Sequence, residues 1–226
     1  MGSSFQTDDM IGNSRPSLSL RRQKTTLAFK TSTLASRIHK ERAESKYGDE
    51  KKEDYLPEGS LDELLTEETI KEALSRREKL ELTDHEEQQL VEHIARDLKK
   101  VFAISLLADV AEGDQLCIAM YQFKDFSVTD SQLPITSGLS HMVFNPEVWG
   151  TLKAKSFCDK QWMLLVPVFT KKQLSYEIKR QSILPFQGVE GLHSKNGTFG
   201  KVYAVKIHHA HDKVSKLTDN HVCVRL

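Results

Sequence analysis

The sequence predicts an α+β chain: a disordered basic tail over residues 1–56, a helical module over 57–135, an irregular connector over 136–160 and an incomplete antiparallel β-sheet over 161–226. Three observations carry this reading. Apolar residues before position 57 follow no period. From Leu61 to Leu106 they recur at i, i+3, i+4 and i+7 behind helix-capping signatures. Near the C-terminus, a glycine turn at Gly197–Gly200 leads into the strand-like run Lys201–Ile207, and a second β-branched run closes the chain at Val222–Leu226.

The tail is rich in Ser, Thr, Arg and Lys, and its scattered apolar residues bury too little surface to offset the entropy of ordering. Hydrophobic residues make up 38% of the chain and charged residues 28%, slightly polar for a globule, which fits an unfolded segment. The net charge is zero but unevenly placed: residues 1–46 carry +5, residues 47–100 carry −8 and the remainder +3. Solvated tails and solvated helix faces produce such blocks more often than dedicated partners do. Cys117, Cys158 and Cys223 are odd in number, far apart and without a CxxC, so a disulfide framework is not expected and a reducing, intracellular setting (cytoplasmic or nuclear) is. The apolar run Trp162–Phe169 is too short to span a bilayer, and no secretory signal follows Met1. The start Met1-Gly2 lacks the Ser or Thr that a myristoylation signal wants, with Gln6 in its place. Asp8 and Asp9 argue against a transit peptide. No membrane partner is expected.

In the helical module, Ser60 with Glu63 reads as a capping box ahead of Leu61, Leu64 and Leu65. Thr66 caps a second short helix through Ile70, Ala73 and Leu74. Thr83 with Glu86 opens a third, and Leu90, Val91, Ile94, Leu98, Val101 and Phe102 extend its stripe to a single helix from Asp84 to Leu107, about six turns. Gln115–Phe126 reads as helix in preference to strand, and Asp130–Pro134 as a capped turn. Phe144, Trp149 and Phe157 in the connector, with Trp162 just beyond, read as anchors that pin a loop to the core rather than as ligand contacts. Tyr176–Arg180 is a short strand or a turn.

The chemistry-bearing stretch is Gly197-Thr198-Phe199-Gly200-Lys201-Val202, where glycines let backbone N–H groups approach a polyphosphate and Val202 would lie under a base. This stretch resembles the phosphate-covering hairpin of protein kinases. Together with Gln161–Phe169, Leu184-Pro185-Phe186 and His208-His209-Ala210-His211, residues 56–226 are similar to filamentous-fungal serine/threonine protein kinases. The resemblance implies a partial kinase small lobe over 161–226, with ATP as cofactor and Gly197, Thr198, Phe199, Gly200, Val202 and Arg225 as the nucleotide-contacting set. Lys195 stands where the kinase loop has its first glycine, so phosphate cradling is weakened or lost. Lys206 lies only six positions after Gly200, on the strand that leaves the turn, so the returning strand is assigned to Val222–Leu226, with Arg225 at the lysine position.

Residues 1–226 contain no H-R-D and no D-F-G segment, so no catalytic base or Mg²⁺ ligand is assigned. The expectation is a truncated, kinase-like, ATP-binding fragment that does not transfer phosphate alone, its full-length relative being a Mg²⁺-dependent serine/threonine kinase. An incomplete gene model is one alternative. Another is a non-catalytic module that binds a protein partner through the 57–135 helices. His208, His209, His211 and Asp212 read as a structural cluster, because alternate positions on a strand offer at most two metal ligands on one face. The basic tail lacks interleaved aromatics, so nucleic acid is not an expected partner. No G-x-S-x-G or H-E-x-x-H motif points to hydrolase chemistry.

Overall fold

A computed structural model describes residues 33–46, 53–136, 143–173, 175–188, 195–197, 200–214 and 221–225. The expectation of disorder over 1–32 and 47–52 lies outside the described residues. Over 33–46 and 53–55 the expectation is corrected. Helix α1 (Leu34–Lys40) starts at Thr33, whose side chain accepts from the Ser36 N–H. Strands β1 (Ala43–Ser45) and β2 (Glu53–Tyr55) form an antiparallel pair after it. Their apolar residues lack a period because each fills a gap in a core built by distant segments. Ile38 and Tyr55 are fully buried, and the Leu34 N–H donates to Glu112 Oε1 at 3.1 Å.

The module continues with α2 (Ser60–Leu64), α3 (Glu67–Ser75), α4 (Asp84–Asp97), α5 (Lys99–Leu107) and α6 (Asp114–Asp125). Thr66 caps α3, and the Thr83–Glu86 capping box opens α4 as its spacing predicts. The Ser60 capping box does not form. Gly59, at φ +87°, stands at the N-cap instead, with no side-chain cap.

The single helix expected from Asp84 to Leu107 is two. At Leu98 the backbone leaves helical geometry (φ −130°, ψ 19°), and the next N–H groups go elsewhere: Lys100 and Val101 donate to the Asp130 carboxylate at 2.9 and 3.0 Å. A carboxylate from thirty residues downstream caps α5. Leu98 is fully buried, so the apolar stripe continues across the break and conceals it.

The connector is also corrected. Gly150–Lys160 forms α7, extended by a 3₁₀ turn at Gln161–Met163. Its sequence carries one buried apolar residue, Phe157, too little for a periodic signal. The aromatic anchors do enter the core. Phe157 stacks on Phe123 at 5.7 Å, and Trp149 meets Phe157 edge-on at 5.4 Å. Gln161 is buried and locks the entering chain, accepting the Ile135 N–H at 2.8 Å and donating to the Cys158 carbonyl at 3.0 Å. One hydrophobic core runs from Leu34 to Ile183, across the borders expected at 56, 135 and 160.

The C-terminal part is a set of small sheets. Strand β4 (Phe186–Gly188) and strand β5 (Lys195–Gly197) pair antiparallel with β6 (Gly200–Ile207), and β8 (His221–Arg225) also pairs antiparallel with β6. Strand β3 (Phe169–Thr170) pairs with β7 (Asp212–Lys213) in parallel, a departure from the purely antiparallel expectation. Beneath lies a second, small core of Phe169, Leu184, Phe186, Val205 and Ile207. The molecule is thus mixed helix and short sheet, and among the described residues no helix is long and apolar enough to cross a membrane.

Candidate functional site

The glycine corner is a tight hairpin. Gly197 is the register partner of Gly200, Asn196 of Lys201 and Lys195 of Val202. Thr198 and Phe199 lie outside the described residues. Strand β8 returns along the opposite side of β6, with Val202 opposite Arg225 and Lys206 opposite His221. The backbone therefore brings Gly197, Gly200, Val202 and Arg225 to one end of the sheet. Lys206 lies on β6 itself, at the far end from the corner.

At that far end the sheet docks on the N-terminal segment. The Lys46 N–H donates to the Phe186 carbonyl at 2.8 Å, the Ser45 hydroxyl to the Leu184 carbonyl at 2.6 Å, and the His208 N–H to the Pro185 carbonyl at 2.8 Å. Between these elements lies an open groove of about 450 Å³, lined by Glu44, Lys46, Tyr55, Gln187, Lys206 and His208, among others. Tyr55 lies beneath the histidines. Its ring meets His211 edge-on at 5.5 Å and His208 at 6.0 Å, and its buried hydroxyl has no hydrogen-bond partner among the described residues. Burial pushes the Tyr55 phenol up to about 12, so it remains a neutral donor.

The histidine run, expected as a strand, is a 3₁₀ turn at His209–His211 after His208. Its members take different roles. His209 is exposed and stacks on His208 at 4.4 Å. His208 Nδ1 accepts the Ala210 N–H at 3.2 Å, and burial first, then the neighbouring His209 and His211, hold its pKa below the usual value. His211 is 1% exposed. Its Nε2 accepts the Glu58 N–H at 3.0 Å and its Nδ1 faces the Pro167 carbonyl at 3.1 Å. Those partners fix the neutral tautomer: a nitrogen that accepts carries no proton, and a nitrogen facing a carbonyl must donate. Among the described residues, no three His, Cys, Asp or Glu side chains converge as a metal-binding group.

The sequence singled out the hairpin and missed the groove. Tyr55 lies on a three-residue strand, and its partners His208 and His211 are more than 150 positions away. No local pattern links them. The chain matches no family model, no curated protein and no solved structure.

Proposed function

We propose that residues 161–226 form a kinase-like nucleotide-binding hairpin with a degenerate glycine loop, which binds ATP weakly and does not itself transfer phosphate. The observation that supports this reading is the backbone register at the corner: Gly197 opposite Gly200, and Val202 opposite Arg225 on the returning strand. Glycines on both strands at the corner carry no side chain to block approach of a phosphate to the backbone. An arginine backbone one strand away from Val202 puts a permanent cation within side-chain reach of the same end. In this reading Gly197, Thr198, Phe199 and Gly200 cover the phosphates, Val202 packs under the base and Arg225 meets the charge. A hairpin open on one face cannot enclose adenine, which is why affinity is low. Residues 1–226 carry no H-R-D or D-F-G segment, so this reading assigns them nucleotide binding and no phosphate transfer.

The test is titration of the purified 1–226 chain with a fluorescent ATP analogue, with competition by MgATP. The expected dissociation constant is on the order of 0.1–1 mM, roughly 4–5.5 kcal/mol of binding. Gly200→Val and Arg225→Ala each weaken it several-fold without changing the thermal midpoint. Nanomolar binding, binding indifferent to both substitutions, or transfer of the γ-phosphate by the purified chain each overturns the proposal.

A second reading is a partner-binding helical module. It is favoured by exposed apolar side chains on α6 and just beyond its end, Ile118 and Phe126, and by Leu152 at the start of α7, which is 83% exposed. Lys153 Nζ donates to Gln115 Oε1 at 2.8 Å, which brings the starts of α6 and α7 together. If this reading holds, Ile118→Ser with Leu152→Ser abolishes partner capture, whereas Gly200→Val does not.

A further inference from the structure

We propose that His211 is a proton-operated latch between the helical core and the C-terminal sheet, closed at neutral pH and opened by acid. Three chain segments meet at its ring. The Leu56–Gly59 turn leads into α2, Pro167 precedes β3, and the 3₁₀ turn that carries His211 runs straight into β7. The imidazole is the joint: Nε2 accepts from Glu58 of the helical side, and Nδ1–H donates to Pro167 of the sheet side.

His208 is a second imidazole in this joint, 6.1 Å away, but its Nδ1 accepts from Ala210 within its own turn, whereas the His211 ring bonds to both Glu58 and Pro167. A proton added to Nε2 turns that atom from acceptor to donor. It then faces the Glu58 N–H donor-to-donor at 3.0 Å, an arrangement that cannot persist. The Pro167 and Leu56 carbonyls favour a proton on this ring, and burial opposes it more strongly than either. The Glu58 N–H then loses its acceptor, and the bond from the helical side to the ring is broken.

The charged and titratable groups around the ring come from each packed element. Glu58 on the turn favours the proton, and Lys213 on β7 opposes it. His208 faces the ring at 6.1 Å, and the Tyr55 phenol on β2 stays neutral. Asp212 directs Oδ1 to the Val214 N–H at 2.8 Å. The segment through Pro167 contributes only its carbonyl. Burial is the largest influence and depresses the ring's pKa below 6.5. The unfolded chain therefore takes up the proton more readily than the folded one, so the latch contributes fully above about 6.5 and is lost as pH falls through the depressed folded value.

The experiment is hydrogen exchange on the full 1–226 chain at about pH 7.5 and about pH 5, with protection factors corrected for intrinsic rates. The Glu58 amide should lose about tenfold in protection, while Leu90 and Val91 in α4 change less than about twofold. His211→Gln keeps an acceptor and a donor but does not titrate, and should remove the acid step. His209→Gln, at an exposed position, should leave the step in place. Wild-type ring titration by NMR supplies a reading that needs no variant, with His211 titrating below the usual histidine value. Unchanged Glu58 protection, an equal loss across α4, or an acid step that persists in His211→Gln overturns the latch.

Discussion

Gly113 is the position where one added carbon should do most harm. It starts α6 at φ +87° and ψ −129°, a conformation essentially reserved for glycine. A Cβ built there would sit 2.5 Å from the Arg76 carbonyl oxygen and 2.9 Å from the Arg77 nitrogen. Both are backbone atoms at the end of α3, so no side chain can swing aside. The Gly113 N–H also donates to the Ala73 carbonyl at 2.9 Å, and the adjacent Asp114 carboxylate receives the N–H groups of Glu78, Lys79 and Leu80 at 2.8–3.2 Å. Gly113→Ala must therefore separate α3 from α6 or strain both. Backbone strain costs about 1–3 kcal/mol and forced overpacking about 1–3 more, for roughly 2–5 in total. For a chain of this size that is a fall of roughly 5–15 °C in thermal midpoint. Urea denaturation followed by circular dichroism gives the free energy directly. A loss below about 1 kcal/mol would refute the close approach of α3 to α6.

Two further substitutions probe the polar contacts that organise the helices. Asp130→Ala removes the carboxylate that caps α5 across the break at Leu98 and should cost about 1–2 kcal/mol in denaturant melts, with Asp130→Asn costing less because one acceptor survives. Glu87 is 5% exposed and meets Arg77, Ser75 and Lys71, and the Arg77 hydrogen bond is the largest of the influences that hold its carboxyl below 4.5. Its folded pKa is depressed, so its contribution is complete above about 4.5 and fades as pH falls through the lower value. Glu87→Gln should therefore cost about 2 kcal/mol at neutral pH and flatten the acid limb of the stability curve, and an acid limb identical to wild type would refute the assignment.

The helices are legible where each carries its own signal. Thr66 caps α3 and the Thr83–Glu86 pair caps α4, and the stripes at Ile70, Ala73 and Leu74 and at Leu90, Val91 and Ile94 are buried. Three features are hidden for physical reasons. The break at Leu98 comes from Asp130, a partner supplied by tertiary contact, while the buried Leu98 preserves the apolar period. Helix α1 contributes only Leu34 and Ile38 to a core that others assemble, so nothing local predicts it. Helix α7 buries Phe157 alone, and its start is set by the aromatic packing of Trp149. At the candidate site, the glycine corner is visible because turn chemistry is local. The Tyr55–His208–His211 cluster is invisible because it exists only after β2 and the end of β6 meet.

Where the sheet is docked matters to any activity of its glycine corner. The helical core is continuous from Leu34 to Ile183, and among the described residues the sheet's own core holds Phe169, Leu184, Phe186, Val205 and Ile207. The sheet is attached to the rest of the molecule through Lys46 and Ser45 on Leu184–Phe186 and through His211 between Glu58 and Pro167. Every one of these lies at the Ile207 end of β6, and the glycine corner lies at the other. Opening the His211 joint would therefore loosen the strand at its anchored end while leaving the Gly197–Gly200 register intact. Nucleotide affinity should fall with acid only if the corner needs a rigid strand behind it. His211→Gln separates the two ideas, because loss of the acid step in affinity with unchanged binding at neutral pH requires both the latch and the nucleotide corner to be real.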